Sequence, residues 1–222
     1  MIISMTLRDA LNKYATPFSE ELGIELHKRP GIFKWFLAAL LFGKRINETI
    51  AKNTYKTFEK RALTSPDAIL EAGWDGLVQA LDEGGYVRYD FSTADKLLDI
   101  AKMLEQKYDG DFNKLHDVAS GAEDLEGRLM EFNGVGEVTA QIFLRELRSI
   151  WSKADPNPSQ LEVLAGKRLG LMKVGNKDEL KKAAGKLHMP VVNLEVALLR
   201  VGKDFCRKKR CEICDFKGWC LA

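Results

Sequence analysis

The sequence predicts an all-α protein. Three observations carry this: apolar residues recurring three and four apart, frequent helix-start signatures, and glycines at the matching stops. The longest candidate for an alternating strand, Tyr86-Val87-Arg88-Tyr89, is too short to build a sheet. An apolar fraction of 45% over 222 residues is enough for one sizeable core or two small ones.

Taken in order, Leu37, Leu40 and Leu41, then Ile46, Ile50 and Tyr55, recur at helical spacing. Trp35 to Phe42 is the longest apolar run, which suits a buried helix segment and falls short of a membrane span. Ser65-Pro66 places a cap residue before a first-turn proline. Ser92 with Asp95, Ser159 with Glu162, and Asn176 with Glu179 predict capping boxes. Gly43, Gly84-Gly85, Gly134 and Gly170 mark stops. About ten helices with short connections follow, without low-complexity tracts or repeats.

One pair of helices carries chemistry. Leu125, Leu129 and Phe132 stripe the first, Asn133-Gly134-Val135-Gly136 is a tight turn, and Val138, Ile142 and Phe143 stripe the second. Two glycines one residue apart let the backbone turn sharply and expose successive amides. Amides at a helix N-terminus attract phosphate, so Gly134, Val135 and Gly136 are candidates for a sequence-independent grip on a nucleic-acid backbone. A plain helix–helix corner is the other reading.

Charge is unevenly spread. Residues 151–222 carry 15 Lys and Arg against 8 Asp and Glu, leaving 19 against 24 for residues 1–150. A basic C-terminal third fits a polyanion contact or a solvated helical face. All four cysteines, Cys206, Cys211, Cys214 and Cys220, lie in the last seventeen positions, spaced C-x4-C-x2-C-x5-C. Loops this short strain disulfide geometry, whereas four thiolates in one compact stretch suit a metal ion or an iron–sulfur cluster. Reduced thiols and an N-terminus without a basic-then-apolar signal pattern predict a cytoplasmic, nucleoid-associated protein without membrane contact.

Gly134-Val135-Gly136 followed by Thr139-Ala140 resembles the helix-hairpin-helix of the HhH-GPD superfamily of DNA glycosylases. The endonuclease III-like members, which end in a four-cysteine [4Fe–4S] loop, are the most similar. Phe36 to Ile46 resembles the early barrel helix and its turn, Gly85-Tyr-Val-Arg-Tyr89 before a helix with Lys96 resembles the family's glycine, aromatic, then lysine-bearing stretch, and Arg168-Leu169-Gly170-Leu171 the step after the catalytic loop. The resemblance covers about residues 30 to 220. It implies a two-domain helix-hairpin-helix DNA glycosylase fold. A helical-barrel domain would span 31–150, and an iron–sulfur cluster domain 1–30 plus 151–222.

The implied activity is base-excision repair: hydrolysis of the N-glycosidic bond of a damaged or mismatched base in double-stranded DNA. Bifunctional members carry a lysine two positions after the second hairpin glycine, and Val138 stands there, which implies a monofunctional enzyme using water. Lys153 is a further amine to which lyase chemistry would have to pass. Counting on from Val138 brings the family's carboxylate next to Asp155, while counting back from Arg168 lands nearer Ser159. Asp155 before Pro156 also reads as a helix cap.

Lys44 and Arg45 occupy the segment that normally probes the duplex, to contact phosphate or fill the space of an extruded base, or else as exposed helix ends. Trp35, Trp74, Tyr86 and Tyr89 are stacking candidates or core residues. The cysteine spacing departs too, with four residues between the first pair where the family usually has six. Arg207, Lys208, Lys209 and Arg210 fill that interval as a basic DNA-contacting loop. Zinc is the alternative to the cluster, and a non-catalytic DNA-binding protein on the same scaffold is the alternative function.

Overall fold

The computed structural model describes residues 6–221. Among them the chain forms twelve α-helices and no strand. In order these are α1 (Leu7–Asn12), α2 (Phe18–Glu21), α3 (Arg29–Phe42), α4 (Glu48–Lys60), α5 (Pro66–Glu83) and α6 (Asp90–Tyr108). There follow α7 (Phe112–Val118), α8 (Ala122–Met130), α9 (Glu137–Leu147), α10 (Gln160–Arg168), α11 (Lys177–Leu187) and α12 (Val191–Val201). The count exceeds the expected ten by two, and the shortest helices, α1 and α2, are too short to show a helical period.

Two compact units emerge, Leu22–Ala154 and, from both chain ends, Met1–Glu21 with Asp155–Ala222. In the first, α3 is buried on nearly every face from Ile32 to Leu41, so it forms the axis of the unit. Phe36 meets Phe112, Phe132 and Phe143 at ring-centroid distances of 4.3, 6.1 and 5.3 Å. The Trp35 indole N–H donates to Phe143 O at 3.0 Å, which ties α3 to α9 without leaving a buried donor unpaired. Tyr86 is likewise buried, its hydroxyl donating to Leu41 O at 2.9 Å. Trp35 and Tyr86 are therefore core residues, closed off from stacking on a base.

Start signals hold where the cap side chain stays free. Ser65 caps α5 through the Ala68 N–H, and Ser159 forms the expected capping box with Glu162. Asn176 accepts the Glu179 N–H, but the Glu179 carboxylate turns to the amides of residues 173–175 instead of closing a box. Ser92 and Asp95 make no cap at all. The helix begins earlier, at Asp90, because Asp95 accepts the Trp74 indole N–H at 3.0 Å and Ser92 Oγ bonds Tyr89 O. The segment 86–89 is a turn, not a strand.

The second unit gathers Ala10 and Leu11, Ala165 and Leu169, Leu180 and Ala184, and Leu194, Leu198 and Val201 around Phe216. Arg200 fastens the N-terminal segment: its guanidinium donates to Tyr14 O at 3.0 Å, pairs with Glu21 at 2.7 Å and lies 4.5 Å over the Phe18 ring. Among the described residues no helix is long and apolar enough to cross a membrane.

Candidate functional site

Within Leu22–Ala154 the hairpin joins α8 to α9. Gly134 has φ +80, in the left-handed region, and a Cβ there would come within 2.5 Å of the Lys96 side chain. Gly136 is the N-cap of α9 and offers no side chain to its first amides, which remain without a side-chain cap. Val135 is buried and its N–H donates to Phe132 O at 3.0 Å, so both its side chain and its amide anchor the turn. Asn133 Nδ2 donates to Asp99 Oδ2 at 2.7 Å and holds the turn against α6. Val138 is 60% exposed on the first turn of α9, an apolar side chain where an amine would be needed for covalent attack.

The turn after α3 lies against the same helix. A Cβ on Gly43 would meet Thr139 Oγ1 at 2.2 Å, so only glycine lets the α3 end come this close to α9. Lys44 follows, half-buried, while Arg45 is exposed. Burial first, then the charge and close approach of Lys96, hold the Lys44 amine below the usual lysine range. Lys153 is committed elsewhere, its ammonium donating to His116 O at 2.7 Å and Asp117 O at 3.1 Å.

Within the other unit, Asp155 caps no helix, because α10 starts at Gln160 behind Ser159. Its carboxylate accepts Lys181 Nζ at 2.8 Å and lies 3.3 Å from Lys177 Nζ. The two lysines stand one helical turn apart on α11 and face the same way. With its side chain 23% exposed, the carboxylate is sheltered yet within reach of a ligand.

The cysteines follow α12 on a π-turn, Gly202–Cys206. Gly202 is required by packing, since a Cβ would lie 2.1 Å from Leu161 O of α10. Cys206 and Cys214 pack against the apolar cluster and Cys211 is exposed. Burial, and then the other three thiols among its neighbours, push the Cys206 thiol up, against the pull of Arg168. Burial does the same to Cys214, with Cys220, Cys211 and Asp215 adding to it. Cys214, Cys220 and Cys211 all act on the Cys206 thiol, and among the described residues no group of three Cys, His, Asp or Glu is placed to hold a metal ion. Tyr14 braces the loop, its hydroxyl donating to Asp215 Oδ2 at 2.9 Å and its ring meeting Phe205 and Phe216. Burial and Asp215 push that phenol up to about 12. Arg207 to Arg210 are all exposed, with Lys208 reaching Asp204 at 3.1 Å.

Comparison with solved structures gives this arrangement a class: it is the fold of the helix-hairpin-helix DNA glycosylases. A non-covalent endonuclease III–DNA complex matches with a TM-score of 0.54 and 20% identity, covering 100% of this chain and 96% of the other. A thermostable thymine-DNA glycosylase matches at 0.56 and 16%, covering 96% and 95%. The 3-methyladenine DNA-glycosylase from Archaeoglobus fulgidus matches at 0.50 and 18%, covering 90% and 75%. No protein-family model matches the sequence, and no curated protein matches it significantly.

Sequence reading named Lys96 only as the lysine of the helix after Gly85–Tyr89 and gave it no role, and it missed Lys177 and Lys181. The lysine pair on α11 had a signal in its four-residue spacing, but nothing local announced the carboxylate it meets.

Proposed function

We propose that this chain is a DNA glycosylase of base-excision repair that hydrolyses the N-glycosidic bond of a damaged or mismatched base in double-stranded DNA. The carrying observation is the uncapped α9 N-terminus behind Gly134-Val135-Gly136, on a fold shared with DNA glycosylases. The hairpin amides hold a phosphate, Lys44 and Arg45 add charge on that unit, and Arg207, Lys208, Lys209 and Arg210 add a second basic contact.

Asp155 supplies the catalytic carboxylate. As the C1′–N bond breaks, its electron pair leaves with the base and positive charge grows on the sugar, where an anion stabilises it. Asp155 then orients a water that adds to C1′ and loses its proton, giving free base and an abasic site. Lys177 and Lys181 hold the carboxylate in place. Val138 offers no amine, so the enzyme is monofunctional and leaves the strand intact.

Cys206, Cys211, Cys214 and Cys220 hold a [4Fe–4S] cluster whose role is to shape the basic loop. Four zinc–sulfur bonds of about 2.3 Å draw sulfurs tightly around one point, whereas a cluster accepts a wider spread. A single C-x2-C without a second such pair supports the cluster over zinc. Iron and zinc analysis of protein purified without oxygen tests this, zinc in place of iron being the contrary result.

The second reading, a non-catalytic DNA-binding protein, is favoured by the two lysines that already neutralise Asp155. A panel of duplexes carrying single damaged or mismatched bases decides between them. Release of a base by wild type and not by Asp155→Asn, with strand breaks only after alkali, supports the enzyme. Tight binding with no base released across the panel rejects it, and a borohydride-trapped intermediate rejects monofunctional chemistry.

A further inference from the structure

The cations of the chain leave one stretch bare. From Ala62 to Val87 there is no Lys, Arg or His, while Asp67, Glu71, Asp75, Asp82 and Glu83 all fall within it. Most of that stretch is α5. Glu83 is paired with Arg61 at 2.6 Å. Glu71 and Asp75 are exposed, and among the described residues neither carboxylate has an ion-pair or hydrogen-bond partner.

Trp74 stands between those two in the chain. Gly73 breaks α5 directly before it, with φ +63 and ψ −176, a conformation that favours glycine. Trp74 is left 38% exposed beside Phe91, itself 58% exposed, with ring centroids 5.2 Å apart and planes tilted by 40°. The indole N–H donates to Asp95 Oδ1 at 3.0 Å, which satisfies the one polar atom of the ring and fixes its orientation. What meets solvent is a held aromatic pair with only apolar and π surface to offer. Covering it costs little further side-chain entropy, because the indole is already placed.

Single exposed apolar residues are ordinary on a protein surface; an anchored pair beside unpaired carboxylates is a more specific arrangement. The charge selects the occupant. A phosphodiester strand laid on Trp74 would meet Glu71, Asp75 and Asp95 with no cation from α5, so this face repels nucleic acid. Lys96, next to Asp95 in the chain, runs its stem across Gly134 instead. A cationic side chain gains twice here, from the carboxylates and from the indole face.

We propose that Trp74 and Phe91 form the docking site for a segment of a partner protein that carries an apolar side chain between Lys or Arg residues. The apolar side chain covers the ring pair, and the flanking cations meet Glu71 and Asp75. The site stands apart from the proposed function, since it needs neither the hairpin nor Asp155.

The probe is an immobilised array of short peptides in which Leu, Phe or Trp is flanked by Lys and Arg. Matched peptides carry Glu in the flanks or Ser in place of the anchor. Only peptides with both anchor and cations should hold the folded protein. In solution, Phe91→Ser and Trp74→Ser should each weaken the best peptide about tenfold, the loss expected for one buried aromatic contact. Glu71→Gln with Asp75→Asn should cost less and flatten the salt dependence of binding. Trp74→Ser strips Asp95 of its donor, so Phe91→Ser, which removes no side-chain hydrogen bond, carries the test if the former fails to fold. An array with no peptide that distinguishes wild type from Phe91→Ser would overturn the docking site, as would equal binding of Glu-flanked and Lys-flanked anchors. Two further measurements name other occupants. Duplex binding weakened by Phe91→Ser would give the patch to DNA, and a concentration-dependent dimer lost in Phe91→Ser would give it to a second copy of this chain. Either result overturns the partner assignment. Base release is read separately and bears on the proposed function alone.

Discussion

Lys181 Nζ lies 2.8 Å from Asp155 Oδ2, so the proposed catalytic carboxylate is held from the side by a cation one turn along the helix from Lys177. An ion pair this exposed contributes only about 0–1 kcal/mol to folding. Its use lies in orientation. Asp155→Asn is expected to lower single-turnover base release about 10²-fold or more, within the range typical of positioned acid–base groups. Melting should move by no more than a few degrees. Base release at the wild-type rate by a folded Asp155→Asn protein would remove Asp155 from the mechanism.

Val138 supplies a gain-of-function experiment. It is 60% exposed on the first turn of α9, two positions beyond Gly136. Val138→Lys places an amine where it can condense with the aldehyde of an abasic sugar, losing water to form an imine. Borohydride should then trap a covalent complex with abasic duplex that wild type does not form. A folded variant that binds abasic DNA and yields no adduct would show that this turn does not face the sugar.

The two hairpin glycines should differ in tolerance. Gly134→Ala incurs both a left-handed backbone and a collision with Lys96, and its φ alone costs about 1–2 kcal/mol. Gly136 has φ −105 and nothing within 4 Å of where an added methyl group would sit, so Gly136→Ala should lose only the N-cap preference for glycine over alanine, about 0.5–1 kcal/mol. Urea unfolding of the two variants decides this. Equal destabilisation would contradict the described turn.

Acid should loosen the α10–α11 connection. The Glu179 carboxylate accepts N–H bonds from Gly175 at 2.7 Å, Val174 at 2.9 Å and Lys173 at 3.1 Å. These bonds, that from Gly175 foremost, hold its carboxyl below the ordinary 4.5. A depressed folded-state value stabilises above the unfolded pKa, and that stability disappears as pH falls through the depressed value. Glu179→Gln should therefore be less stable than wild type near neutrality, and the gap should narrow as pH drops below about 4.5. A gap that stays constant from neutrality to pH 3 would assign the loss to something other than this charge.

Much of the fold was legible because its determinants are local. The α10 capping box, the Ser65 cap and the glycine hairpin each depend on residues three or four apart. What stayed illegible depends on distant approach. Trp35, Trp74 and Tyr86 read alike in sequence, yet only Trp74 reaches solvent, where it lies 5.2 Å from the exposed Phe91 ring. The Ser92–Asp95 signature failed because a tryptophan from another helix claimed the aspartate. Lys96 meets Gly134, and Asp155 meets Lys177 and Lys181, only after the chain has folded, which is why these contacts were invisible in the sequence.

The cysteine segment is fastened to α10 at both ends, by Gly202 against Leu161 O and by the Leu221 N–H on Arg168 O at 2.7 Å. Between those fasteners Phe216 and the Tyr14–Asp215 bond pin the segment again, and the exposed interval from Arg207 to Cys211 is a strap slung between Cys206 and Cys214, which pack on the apolar cluster. Two residues fewer in that interval shorten the strap without moving either pin. Length variation in the basic loop is thereby uncoupled from the core, and the surface offered to a partner can change while the helices that carry it stay as they are.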